Sequence, residues 1–334
     1  MQLRRLFTVI DSHAGGQSLR VITSGIPPLR GSTLRERRAD MRARHDDVRR
    51  LLLHEPRGHA DMYGAVLTPP ASAEADYGVI FLTNEGYSTM CGHGIIALTT
   101  VLIETGTFPA QGSETRITYE TPAGIVQARA TTDDGRVRAV RFRNVPAFRF
   151  AHDLPIEVEG VEVRVDVAFG GAWYAVVEDH AVGLTLKRAS SRELSRVGMA
   201  VKRAVSNAID VVHPTDSEMA GLYGTIIVGE PTSSDFSLRN ATVYADGAID
   251  RSPCGTGTSA LVACMAEAGT LAVGDSLVNE SLSGAVFTGR IVVGTTVGEF
   301  PAVITEVSGR GAVTGTSQFW LDHDDPIQEG FLLR

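Results

Sequence analysis

CGHGIIALTTVLIETGT, residues 91–107, and CGTGTSALVACMAEAGT, residues 254–270, are two copies of one pattern. In each, a cysteine opens a turn interleaved with glycine, Ala-Leu follows at the same place, and an apolar run closes on Glu-x-Gly-Thr. Cys91, Gly92, Gly94, Ala97, Leu98, Glu104, Gly106 and Thr107 match Cys254, Gly255, Gly257, Ala260, Leu261, Glu267, Gly269 and Thr270, at a constant offset of 254 − 91 = 163 residues. That offset is about half of a 334-residue chain, the signature of a duplicated domain.

Each copy predicts a helix that begins at its cysteine or just after it. The glycines let backbone approach a ligand closely and enter the helix through unusual dihedrals. Gly106 and Gly269 are placed to end it. The thiol then lies among unpaired N–H groups at the positive end of the helix dipole. That field is expected to favour thiolate and lower the thiol pKa. The same N–H groups can hold a carboxylate. Neither copy has the spacing of a phosphate-binding P-loop or a dinucleotide fingerprint. A single cysteine at a helix start is more often structural, but two at equivalent points of a repeat point to function. Cys264, inside the second helix pattern, is expected to pack as a small hydrophobe.

The bulk properties bound what else the chain can be. Its length favours two domains. Hydrophobic content of 43% and charged content of 21% are those of a soluble globular protein. A net charge of −8 argues against nucleic acid or an anionic membrane as partner. No apolar run has transmembrane length. MQLRRLF lacks a following apolar stretch of the secretory kind, so a cytosolic protein is expected. Three cysteines without short spacing make neither a disulfide framework nor a zinc site.

Strand-like runs occupy 62–68, 77–83 and much of 114–145, and recur around the second cysteine motif and over 291–322. Residues 33–53 have a helical pattern with Leu34, Met41, Val48, Leu51 and Leu52 near one face. The surrounding arginines read as a solvated face laced with i,i+4 pairs. A further helix is expected over 190–209. Strands outnumber helices without regular alternation, which predicts an α+β fold.

If the two halves bring their helix N-termini to one cleft, two thiols can work on opposite faces of one carbon. One thiolate removes the proton next to a carboxylate, and the other thiol delivers a proton from the far side, giving inversion. Oriented N–H groups would stabilise the charge that develops on the carboxylate. No cofactor is expected, since neither a pyridoxal-binding lysine motif nor a metal cluster is visible.

These motifs, with IDSHAGGQSLRVI near the start, LLLHEPRGHADMYGAVL at 51–67, NEGYSTMCGHG at 84–94, DVAFGGAWYA at 166–175, NESLSGAVFTGRI at 279–291 and the final DDPIQEGFLLR, identify the chain as resembling the proline racemase family over nearly its whole length. That family includes proline racemase, hydroxyproline 2-epimerase and trans-3-hydroxyproline dehydratase. The resemblance implies a fold like that of diaminopimelate epimerase, with two pseudo-symmetric halves, each a curved sheet around a central helix. The halves are expected at 1–155, completed by 311–334, and at 156–310. Carried over by motif, Cys91 and Cys254 are the acid/base pair. Gly92, His93, Gly255 and Thr256 form a carboxylate cradle, and Asp250 is the partner of a ring nitrogen. His59 falls near that pocket. For His59 and for the side chain of His93, a structural role is equally open. Tyr63 and Tyr244 stand where proline racemases carry phenylalanine, and their hydroxyls could meet a ring hydroxyl or be satisfied elsewhere. Ala14 and Gln17 depart from the family's Thr-Gly-Gly-Glu turn, which puts the hydrogen bonding there in doubt.

Dehydratases of the family carry threonine at the position of Cys254. Cysteine at both positions favours a racemase or 2-epimerase acting on proline or a hydroxyproline. The flanks NEGYSTMCGH, DMYGAVL and EGFLLR resemble the dehydratase branch, which makes trans-3-hydroxy-L-proline dehydration the alternative. A non-catalytic binding protein for small carboxylates is the third reading. The partner implied is a small molecule, with no nucleic acid and no membrane, and a homodimer is left open.

Overall fold

The computed structural model describes residues 3–333; Met1 and Gln2 of the arginine-bearing start and the terminal Arg334 lie outside them. The chain is a mixed α/β protein in two compact units, one of Met1–Arg141 with Arg310–Arg334 and the other of Phe142–Gly309.

The first unit runs β1 (Leu3–Ala14), β2 (Gln17–Ser24), α1 (Leu34–Arg44), α2 (Asp46–Leu53), β3 (Tyr63–Thr68), β4 (Tyr77–Leu82), β5 (Tyr87–Ser88), α3 (Gly92–Glu104), β6 (Glu114–Thr121), β7 (Gly124–Asp133) and β8 (Arg136–Arg143). The second holds β9 (Ala147–Val158), β10 (Val161–Phe169), β11 (Trp173–Glu178), α4 (Ser191–Ala208), β12 (Val212–His213), β13 (Asp216–Ala220), β14 (Gly224–Gly229), β15 (Leu238–Tyr244), β16 (Ala248–Ile249), α5 (Gly255–Glu267), β17 (Ser276–Ser281), β18 (Val286–Val297) and β19 (Phe300–Gly309). The chain then returns to the first unit as β20 (Gly311–Asp322). Strand β9 pairs with β10 and β19, so the first boundary falls ahead of it, at 141/142 and not at 155/156.

One order of pairings occurs in each unit. In the first, β1 and β2 are antiparallel, β2 and β3 parallel, β3 and β4 antiparallel, and β4 takes β5 antiparallel and β6 parallel. In the second, β10 and β11 are antiparallel, β11 and β14 parallel, β14 and β15 antiparallel, and β15 takes β16 antiparallel and β17 parallel. Between its short fifth or sixteenth strand and the following parallel strand, each unit inserts the cysteine-headed helix.

Those two helices are largely apolar and buried on every side, as core elements are. Helix α3 is buried from Gly92 to Ile103, and α5 from Gly255 to Cys264. Both end as the glycines require: Gly106 and Gly269 take left-handed φ of 72° and 73° just past the last helical turn. Cys264 packs in the second core with Ala147, Leu277, Ile291 and Val303.

The helical stretch 33–53 is two helices, broken at His45, whose φ of −135° leaves the helical region. Thr33 caps the first through a reciprocal bond with Glu36. The break does not scatter the apolar face: Leu34, Met41, Val48, Leu51 and Leu52 are all buried against Phe7, Val66 and Ile80. The i,i+4 pair Arg44–Asp40, at 2.5 Å, lies on the outer side.

The turn with the atypical Ala14 and Gln17 is well satisfied. Gly15 and Gly16, both at positive φ, make a two-residue hairpin turn. The Gln17 amide donates to the Asp61 carbonyl at 2.7 Å. His13 Nδ1 accepts from the Gly16 N–H, a structural role for that ring.

Candidate active site

In the first unit, Cys91 is the N-cap of α3, in an extended conformation with φ −141° and ψ 109°. This aims its sulfur back over the first turn, where the Gly94 N–H donates to Sγ at 3.3 Å. Only glycine fits at 94. A Cβ there would come within 2.5 Å of the Phe81 ring and 2.9 Å of Cys91 Sγ. His93 Nδ1 lies 3.3 Å from the same sulfur. Burial pushes the His93 imidazole down to about 3, against an opposing bond with the Ser18 backbone, so the ring is neutral at physiological pH. Tyr63, at the start of β3, sets its buried ring edge-on to His93 with centroids 4.7 Å apart. Gly92 and His93 supply the first free-standing N–H groups of the helix.

In the second unit, Asp250 follows directly on β16 and is buried. Its Oδ1 accepts from the Ser252 N–H at 2.8 Å, and Ser252 Oγ accepts from the Cys254 N–H at 3.1 Å. Cys254 sits at φ 62°, a left-handed conformation that costs a non-glycine residue on the order of 1 kcal/mol. A clamp holds it there. The carbonyl of Pro253 accepts from both Asn240 (2.9 Å) and Asn279 (3.1 Å), and Asn279 also donates to Thr258 at 2.9 Å. Gly257 again leaves room for sulfur, since a Cβ there would lie 3.1 Å from Cys254 Sγ.

The surroundings of Cys254 reverse an expectation drawn from the helix dipole. Its thiol is not lowered but pushed up to about 12. Burial is the largest cause and the negative charge of Asp250 the next; the Tyr174 hydroxyl and the Gly257 N–H oppose them without prevailing. Asp250 is itself pushed up to about 6 by burial.

Of the residues singled out in the sequence, Tyr63, Cys91 and His93 are together in one unit, and Asp250, Cys254, Gly255 and Thr256 in the other. Tyr244 is buried at the end of β15, with its ring stacked on Tyr223 at 5.7 Å. His59 is on the surface. Its Nδ1 lies 2.8 Å from the adjacent Ala60 oxygen, while its own carbonyl accepts from Asn84. The sequence gives no warning of Tyr174, Asn240 or Asn279. They come from β11, β15 and β17, and only strand pairing carries them to Cys254. Among the described residues, no group of three or more histidine, cysteine, aspartate or glutamate side chains could hold a metal ion. No described helix is long and apolar enough to cross a membrane.

Comparison with known proteins places this geometry. A family model described as proline racemase matches residues 9–332. A trans-3-hydroxy-L-proline dehydratase of Bacillus cereus is 43% identical over 333 residues, with all of both chains covered. A 3-hydroxyproline 2-epimerase of Burkholderia multivorans is 42% identical over 335 residues, again covering both completely. A hydroxyproline epimerase from Agrobacterium vitis, solved with bound trans-4-OH-L-proline, superimposes with a TM-score of 0.92 at 34% identity, covering 100% of this chain and 97% of that one.

Proposed function

This chain belongs to the proline racemase family, and from that premise we propose that it inverts Cα of proline or a hydroxyproline by two-cysteine acid/base catalysis, without a cofactor. The observation that carries the reading is sulfur at both equivalent positions, each at the N-terminus of a buried helix. In this reading the two units are pseudo-symmetric halves, each contributing one cysteine to the reaction.

Cys91 and Cys254 exchange roles with the direction of reaction. Where Cys91 starts as thiolate, it takes the Cα proton while Cys254, held as thiol by its surroundings, delivers its own to the opposite face. One S–H bond forms, one breaks, and the substrate's C–H is replaced with inverted configuration. The electron pair freed at Cα spreads into the carboxylate, where N–H groups of Gly92, His93, Gly255 and Thr256 meet it most strongly as it becomes charged. Asp250 pairs with the ring nitrogen. A cation there offsets the Asp250 charge that holds Cys254 protonated, so binding eases proton release from that thiol. Tyr63 and Tyr244 bound the ring. Free thiols suit a reducing compartment, in keeping with a cytosolic enzyme.

Proton NMR in D2O with L-proline, trans-4-hydroxy-L-proline and trans-3-hydroxy-L-proline tests the proposal. Loss of the Cα signal with growth of the inverted isomer is expected. The relative named as a dehydratase favours a second reading, elimination of the 3-hydroxyl as water after the same proton abstraction. Consumption of the 3-hydroxy compound alone, to a pyrroline carboxylate, would select it and overturn inversion.

A further inference from the structure

Tyr174 stands on β11 at the start of its parallel pairing with β14, opposite Gly224. Its neighbour Trp173 points the other way and donates to the Met219 carbonyl at 3.0 Å. The Tyr174 hydroxyl, at the inner end of a side chain 1% exposed, reaches two partners at the head of α5: Thr256 Oγ1 at 2.7 Å and Cys254 Sγ at 3.5 Å. A buried phenol needs some partner, and Thr256 alone would satisfy it. The other unit shows that the fold does not need the hydroxyl at all. Four residues after Gly15, at the start of the matching parallel pairing of β2 with β3, stands Leu19, which is fully buried. Four residues after Gly170 in GGAWY stands Tyr174. An aliphatic side chain fills the packing role in one unit, so the oxygen in the other is accounted for by what it touches.

We propose that Tyr174 is a positioning residue for Cys254, whose hydroxyl donates to the sulfur when the thiol has lost its proton and turns to Thr256 when the proton returns. The phenol keeps its own proton throughout, and no group is transferred through it. Burial, and next the charge on Cys254, hold the phenol well above its ordinary range, so it remains a donor. Asp250 is the opposing charged neighbour, raising the thiol that Tyr174 lowers. The proposal rests on the acid/base role of Cys254 for its meaning in catalysis, but the hydrogen bond is open to test without turnover.

The measurement is the rate of alkylation of Cys254 by iodoacetamide at pH 8, followed by mass spectrometry, with buried Cys264 as the internal control of folding. A hydrogen bond to a charged acceptor shifts a pKa by about one unit, so Tyr174→Phe is expected to slow Cys254 about tenfold while Cys264 is unchanged. A packing role predicts the opposite, an unchanged or faster rate from a loosened site, and that result overturns the proposal. If Cys264 also becomes reactive, the variant has not folded, and 3-fluorotyrosine at 174 decides. Its stronger donor hydroxyl is expected to speed Cys254, and no acceleration overturns the assignment. Cα deuterium exchange on the same preparations separates the two claims. Slowed alkylation in a protein whose wild type exchanges none of the three prolines sinks the proposed function and leaves the hydrogen bond standing. Unchanged alkylation in a protein whose wild type turns them over does the reverse.

Discussion

The heads of α3 and α5 carry one sequence pattern and hold their sulfurs differently. Cys91 is extended and accepts an N–H from its own helix, beside a neutral histidine. Cys254 is left-handed and faces hydroxyls and a buried acid. The divergence begins four residues upstream. Asp250 corresponds to position 250 − 163 = 87, where the first unit has Tyr87. Tyr87 turns its hydroxyl to Asp46 of α2, at 2.8 Å, so the acid there serves the scaffold. The comparison teaches that one pattern of helix and thiol can recur in a chain while the charges around the thiol differ between the two units.

The largest expected effect tests what the two ends share. Cys91→Ser and Cys254→Ser should each lower inversion about a thousandfold, as loss of a proton-transfer group does. NMR of the inverted isomer reads it, and near wild-type racemisation by either variant would falsify the two-thiol mechanism. One-sided Cα exchange with solvent deuterium is expected to be less affected than inversion.

The next sharpens what they do not share. Asp250 titrates at about 6 in the folded protein against an ordinary 3.8. Folding therefore favours its neutral form. The stability it contributes is complete below about pH 4 and is lost as pH rises through 6, in total about 3 kcal/mol. Asp250→Asn keeps an oxygen for the Ser252 N–H and should flatten this fall. Urea unfolding at pH 4, 6 and 8 checks it; equal slopes in both proteins would mean Asp250 is not buried as charge.

Glycine substitutions probe the room around each sulfur. Gly94→Ala drives a Cβ into the Phe81 ring and should cost about 2 kcal/mol. Gly257→Ala meets Ile226 at 3.0 Å, so a smaller cost is expected. Thermal unfolding ranks the two, and the reverse order would break the account of close approach.

The smallest effect isolates backbone strain. Cys254→Gly should be more stable than Cys254→Ala by about 1 kcal/mol, because only glycine relaxes at φ 62°. At Cys91, extended already, the order should invert or vanish. Denaturant midpoints of the four variants decide.

Much of this was legible in the chain itself. Helix α4 lies at Ser191–Ala208, within the expected 190–209, because its apolar positions recur with helical period and Ser190 and Glu193 form a capping box. The split at His45 was not legible, since both halves continue one apolar face across it. The motif leaves open whether His59 serves a pocket or the scaffold; its ring is exposed, and its carbonyl accepts from Asn84. The departure at Gln17 left its hydrogen bonding open; its amide finds the carbonyl of Asp61, far along the chain.

By itself the sequence determined where the two thiols stand. A cysteine followed by interleaved glycines and a largely apolar run specifies a buried helix with sulfur at its N-terminus, and every part of that specification is local. Only the tertiary structure decided which form the Cys254 sulfur takes. The helix dipole acts over one turn and can be read from spacing. Burial, the Asp250 charge and the Tyr174 hydroxyl come from β11, β16 and their packing, and desolvation outweighs a dipole wherever long-range contacts exclude water.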